Sequence, residues 1–176
     1  MTCDPSALSW AVAAGATAAS IRTEWRAGRA AEIPIGQLWD VLRVTTRTGT
    51  SAFQRLQVLG EPVGPALEVP LRHTVEFLVP PGTAAVWPPL PGTRCVGRGI
   101  IRCPAADRTR SSGRRASCGR RWIVAPTDAP VPTTDADALV ETVTAALARR
   151  AVQWLDQVRP ALSKPPQPRS APVTRG

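Results

Sequence analysis

The spacing of apolar positions along the chain predicts short helices alternating with short extended segments. Residues Pro5 to Gly15 predict a short helix whose bulky apolar groups are Leu8 and Trp10. A second helix is predicted over Ala18 to Ala27. Ile21 and Trp25, four apart, share one face there, while Arg22, Glu24, Arg26 and Arg29 face water. Gly28 is its expected stop. Ile33-Pro34-Ile35-Gly36 predicts a strand at a sheet margin, because Pro34 has no N–H to give a ladder. Leu38 to Val44 is the first well-patterned strand: Trp39, Val41 and Arg43 alternate with Leu38, Leu42 and Val44. Thr48-Gly49-Thr50-Ser51 predicts a turn and an N-cap. A helix over Ala52 to Leu59 follows, with Phe53, Leu56 and Leu59 on its apolar side, ended by Gly60 and Pro62.

Two strands, Pro65 to Val69 and Thr74 to Val79, read as a hairpin or a neighbouring pair around Pro70-Leu71-Arg72-His73. Thr83 to Trp87 predicts one helical turn, and Cys95-Val96 and Ile100-Ile101 predict short strands around Gly97-Arg98-Gly99. Residues 104–119 are polar, arginine-rich and without period, and are expected to be a basic mobile loop; Arg121 to Val124 is the last strand. The longest helix starts at Thr133-Thr134-Asp135, with acids at its positive end. Leu139, Val143, Leu147, Ala151, Trp154 and Val158 hold one stripe along it as far as Pro160. The Pro-rich residues 160–176 are expected to be disordered. The order of elements predicts an α+β or α/β class: a mixed β-sheet with flanking helices over residues 1–128, closed by a C-terminal helix over 129–159.

Composition narrows the setting. At 176 residues and 43% hydrophobic, the chain is long enough to bury a core of its own without staples. No run of 18 apolar residues exists, so no membrane span is expected. The apolar stretch Trp10 to Ala19 is mostly alanine and follows Asp4 with no Lys or Arg before it, a poor signal-peptide core, and the expected setting is the cytoplasm. Cys3, Cys95, Cys103 and Cys118 include no pair at zinc-knuckle spacing, and His73 is the only histidine, so free thiols are expected and a structural zinc is not.

Charge changes the picture more. Arg94 to Arg121 holds nine arginines against one acid, Asp107, and so carries +8 of the chain's formal +9. A block of that sign attracts polyanions by phosphate contact and counterion release. Within it Arg94, Arg98, Arg102, Arg114, Arg115, Arg120 and Arg121 are the candidate nucleic-acid-binding residues. A bias to arginine over lysine, which occurs once, at Lys164, is also what a GC-rich genome produces.

Catalytic patterns are sparse. Two-metal phosphoryl transfer needs carboxylates that converge. The acids in the predicted strands are Asp40, Glu68 and Glu76, and no two stand at i, i+2 on one sheet face. Asp40 and His73 are the weak catalytic candidates; a strand-end aspartate capping an amide and a surface histidine are the plainer readings. No nucleophile elbow or P-loop occurs. Trp122, beside the arginine block, is either a flank to a nucleic-acid path or a core residue.

Several pieces in fixed order carry a resemblance. AASIRTEW (Ala18 to Trp25), EIPIG (Glu32 to Gly36), WDVLRV (Trp39 to Val44), LGEPVGP (Leu59 to Pro65), VEFLVPPG (Val75 to Gly82), RCVGRGII (Arg94 to Ile101) with Cys103-Pro104, and GRRW (Gly119 to Trp122) span residues 17–126. In order and spacing they resemble the N-terminal domain of actinobacterial bifunctional DNA primase/polymerases. The resemblance implies an archaeo-eukaryotic primase-like α+β core. Active members place two carboxylates i, i+2 on the first strand, where Arg43 and Thr45 stand here, and a third aspartate where Gly92 and Thr93 stand. A nucleotide-contacting histidine has His73 as its candidate, one residue too far upstream. The resemblance therefore implies a degenerate member, a pseudoenzyme, with no cofactor; Mg²⁺ is expected only if catalysis persists.

Three functions follow as expectations. A non-catalytic, DNA- or polyanion-associated domain would use the arginine surface. A protein-interaction or regulatory module would carry that surface incidentally. A weak metal-dependent nucleotidyltransferase would require Asp40 and Glu76 to converge.

Overall fold

The computed structural model describes residues 4–162, with side chains as far as 158, and the fold is a single α+β domain. Its chain order is α1 (Pro5–Ala13), α2 (Ala18–Arg26), β1 (Ala31–Ile35), β2 (Asp40–Thr45), α3 (Thr46–Leu59), β3 (Ala66–Val69), a 3-10 turn (Pro70–Arg72), β4 (Thr74–Val79), α4 (Thr83–Val86), β5 (Thr93–Val96), β6 (Gly99–Cys103), β7 (Arg121–Val124) and α5 (Ala136–Leu162). Five strands form one sheet in the order β5-β2-β4-β3-β7, and β1 and β6 form a separate two-stranded ribbon. Every ladder between these strands is antiparallel, which selects α+β over α/β.

The main sheet is covered on both faces because β2 and β4 are apolar on both. Leu42, Val44, Val75, Phe77 and Val79 meet α3 and α5 through Ala52, Leu56, Leu139 and Val143. Val41 of β2, and Trp39 just ahead of it, turn the other way with Leu67 and Leu78. They pack under α1, α2 and the β1–β6 ribbon, against Ile21, Trp25, Ile33 and Ile101. In this second core Trp10 stacks on Trp39 at 4.8 Å and meets Trp122 edge-on at 5.9 Å. The indole N–H of Trp25 donates to the Cys103 carbonyl at 2.9 Å and that of Trp122 to the Pro104 carbonyl at 3.0 Å, so both buried rings are anchored at their polar ends. Trp122 is a core residue.

Two expectations need correction. The predicted turn at Thr48 to Ser51 is helix, since α3 starts at Thr46. Tertiary packing overrides the weak helical propensity of threonine and glycine there, because Thr48, Gly49, Ala52 and Leu56 form the buried face while Leu59 is exposed. A Cβ on Gly49 would lie 2.8 Å from Cβ of Val75, so the glycine is what lets α3 approach β4. The second correction concerns α5. It is capped by Asp135, whose Oδ1 accepts from the Ala138 N–H at 2.9 Å, and it buries Leu139, Val143 and Ala146. Leu147 is partly buried against the same core, and beyond it the stripe is uncovered at Ala151 and Trp154, which are exposed. A helix of 27 residues is about 40 Å long, whereas strands of four to six residues span about 20 Å at most, so half of it overhangs. The helix α5 is described as far as Leu162, and the remainder of the expected tail lies outside the described residues.

Residues 104–119 carry no helix or strand. Their backbone is held by specific bonds: Trp122 N–H donates to Arg108 O at 2.7 Å, Arg110 N–H to Trp122 O at 2.8 Å and Ser117 N–H to Gly28 O at 2.9 Å. Among the described residues no helix is long and apolar enough to cross a membrane.

Candidate functional site

Alternation along β2 puts Arg43 on the face that Trp39 and Val41 share, in the gap between the main sheet and the β1–β6 ribbon. Its cross-strand neighbours there are Glu76 on β4 and Arg94 on β5. Glu76 has no exposed side-chain surface, and both its oxygens are taken: Oε1 accepts from Arg43 Nε at 3.0 Å and Oε2 from Arg120 Nη1 at 3.0 Å. Arg120, just ahead of β7, also donates to the Arg102 carbonyl at 3.1 Å. A carboxylate left alone at this depth would be very costly; two guanidiniums stabilise it and leave the cluster with one positive charge in excess.

Above this cluster a cleft of about 190 Å³ is lined by Arg43, Arg72, Arg102, Arg120, Ile100 and Ile101. Four of its six lining residues are arginines, and none of the six is acidic. Arg102 also pairs with Glu32 at 2.8 Å, but both side chains are more than half exposed, so water and salt weaken that pair and a phosphate can replace it. Arg72 is exposed at the 3-10 turn, and Arg94 is exposed at the cleft's flank with no partner among the described residues.

The seven arginines singled out in the sequence are therefore dispersed. Arg102 and Arg120 line the cleft, Arg120 mostly from beneath, and Arg94 flanks it. Arg98 is exposed in the joint between β5 and β6. Arg114 pairs with Asp107 at 3.1 Å and Arg115 is exposed, both in the loop before β7. Arg121 lies on the other face of the sheet, where it and Arg110 share Glu68. Burial by itself would push the Glu68 carboxyl up, but these two guanidiniums together hold it below the ordinary carboxylate value. Arg43 and Arg72 were not among the seven. Arg43 is the only cation in β2, on a face otherwise occupied by Trp39 and Val41, and that break in an apolar pattern is the signal that finds it.

Neither catalytic candidate joins the cleft. Asp40 is buried, and its Oδ2 accepts from the Ala84 N–H at 2.8 Å at the start of α4. Its register partner is Val79, so it projects from the face of the sheet that carries Leu42 and Val79, whereas Glu76 projects from the ribbon face. The two carboxylates stand on opposite sides of one sheet. His73 is exposed in a left-handed conformation (φ 51°), and its carbonyl accepts from the Thr46 N–H at 2.7 Å. It lies one residue before Thr74, at the far end of the β2–β4 ladder from Asp40. A divalent cation does not fit these residues: Glu76 has no free oxygen, Asp40 points elsewhere, and among the described residues no three metal-ligating side chains cluster. Nor are thiols poised. Burial, aided by the Asp40 charge, pushes Cys95 up to about 11, and burial pushes Cys103 further up.

No family model matches the chain, and neither the curated proteins nor the solved structures hold a match to it.

Proposed function

We propose that this chain is a non-catalytic polyanion-binding domain that grips the phosphates of nucleic acid in the arginine-lined cleft. The observation that carries the reading is the cleft's charge balance. Four guanidiniums line it, the one carboxylate beneath them has both oxygens committed, and Arg94 adds a further charge at the rim. Arginine's fork of donors matches phosphate oxygens, and the buried Glu76 fixes the Arg43 and Arg120 forks before any ligand arrives. The same reading makes the chain a degenerate relative of the primase/polymerase domains it resembles, with Arg43 and Thr45 where metal-holding carboxylates would stand and with no catalysis of its own. The cytoplasm is the compartment that fits such a ligand and the free thiols of Cys95, Cys103 and Cys118.

The test separates the cleft from the loop. In fluorescence anisotropy with labelled DNA at low salt, Arg72→Ala is expected to weaken binding by about five- to tenfold, as the loss of one phosphate contact does. Arg115→Ala, in the loop before β7, should leave affinity close to that of the parent. Equal losses in the two variants would mean diffuse attraction to net charge, and no binding by the parent at low salt would end the reading.

A further inference from the structure

We propose that the groove between the start of α3 and the overhanging half of α5 takes an unpaired nucleobase, stacked on Trp154, with the adjoining phosphates on Arg47 and Arg150. The inference rests on the polyanion reading and adds the state of the strand that is bound. α3 and α5 run antiparallel. Leu56, near the end of α3, packs with Leu139 near the start of α5, while Arg150 Nη1 donates to Thr48 Oγ1 and Arg149 Nη2 to Ser51 Oγ, both at 3.1 Å. Beyond Arg150, α5 has passed the beginning of its partner helix, and a groove of about 310 Å³ opens there.

Arg47, Arg150, Gln153, Trp154 and Gln157 provide the polar and aromatic lining, and no acidic side chain contributes. The four α5 residues stand at i, i+3, i+4 and i+7, which is one helix face. Trp154 is 61% exposed, whereas Trp25, Trp39 and Trp122 are at most 3% exposed, so it is a ring the core does not use. An indole face takes the face of any base, the glutamine amides carry both a donor and an acceptor for a base edge, and the two guanidiniums suit phosphates. A base within a duplex has its faces covered by its neighbours, so this arrangement selects an unpaired one. One backbone bond also links the elements that carry the groove and the cleft. The Thr46 N–H···O=C His73 bond ties the start of α3, which bears Arg47, to the turn that bears the cleft's Arg72. A strand leaving the cleft past Arg72 and His73 arrives at Arg47.

The experiment uses the full chain, a labelled single-stranded oligothymidine and a duplex of the same length, at low salt, with Trp154→Ala and Trp154→Phe. Trp154→Ala is expected to weaken single-strand binding by about tenfold or more and to leave duplex binding where it was, as loss of a stacking platform does. Trp154→Phe should keep most of the affinity. Single strands should quench the parent's tryptophan emission and leave that of Trp154→Ala unquenched. Four outcomes overturn the inference: single-strand binding unchanged in Trp154→Ala, both ligands weakened equally, a melting transition lost in that variant, or a dimer in sedimentation velocity that Trp154→Ala breaks apart. If the parent binds neither ligand, the polyanion reading falls with it; if it binds both and Trp154→Ala changes nothing, only the stacking site falls.

Discussion

At Glu76 a carboxylate with no exposed side-chain surface serves Arg43 and Arg120 at once, and the residue scale is where the cleft is built or lost. Glu76→Gln keeps the shape but leaves the buried Arg120 and the partly buried Arg43 with no counter-charge. It should destabilise the fold by about 3–5 kcal/mol in urea denaturation, the usual cost of breaking a buried ion cluster. Replacing Arg43, Glu76 and Arg120 together by apolar residues of similar volume should cost far less, because no charge is then stranded. Glu68 gives a different signature. Its carboxyl is held below the ordinary value by Arg121 and Arg110 against the opposing effect of burial. A lowered folded value means its stabilisation is fully present above the unfolded pKa of about 4.3 and is lost as pH falls through the lower folded value. Thermal melts from pH 7 down to pH 3 should therefore show a shallower acid decline in Glu68→Gln than in the parent. A parallel decline would mean the pair does not hold the carboxyl down. Asp40 was legible here in one of its two readings, as an aspartate capping a backbone amide, because a lone carboxylate at a strand end has few other ways to be satisfied. Arg43 was legible only through its place in β2, since a cation in an apolar alternation does not announce its partner on another strand.

Among the elements, α3 and α5 differ most from what periodicity led us to expect, for opposite reasons. The start of α3 has a turn-like composition, yet it is helical because Gly49 fits against Val75. In most helices Gly→Ala gains about 1 kcal/mol. At Gly49 the added methyl would meet Cβ of Val75 at 2.8 Å, so Gly49→Ala should instead lower stability by about 1–3 kcal/mol in chemical denaturation; a gain would show that α3 does not press on β4. In α5 the apolar stripe is real, but a helix about twice as long as the strands beneath it cannot bury its whole length. Stripe position says which residues could be covered; only the size of the sheet says which are. The strands were the most legible elements. β4 and β7 match their predicted bounds, and β3 and β5 differ by two residues or fewer, since β-branched runs bounded by Pro and Gly leave few alternatives.

For the whole molecule, the lesson concerns charge. Nine arginines within 28 residues read as one basic surface, but folding sends them to two sheet faces, a loop and a buried cluster, and brings Arg43 and Arg72 in from elsewhere. Proximity in sequence is not proximity in space when an antiparallel sheet with crossed connections carries the residues. The domain that results has two covered sheet faces and, between the main sheet and the β1–β6 ribbon, a cleft lined by four arginines. The measurement that tests this most directly is the salt dependence of DNA binding by the parent and by a variant carrying Arg72→Ala, Arg94→Ala and Arg102→Ala. The parent's plot of log affinity against log salt should have a slope of about −3 to −4, and the variant's should be shallower by about 2 to 3. A variant that binds with the parent's slope and affinity would contradict the assignment of the polyanion to this cleft.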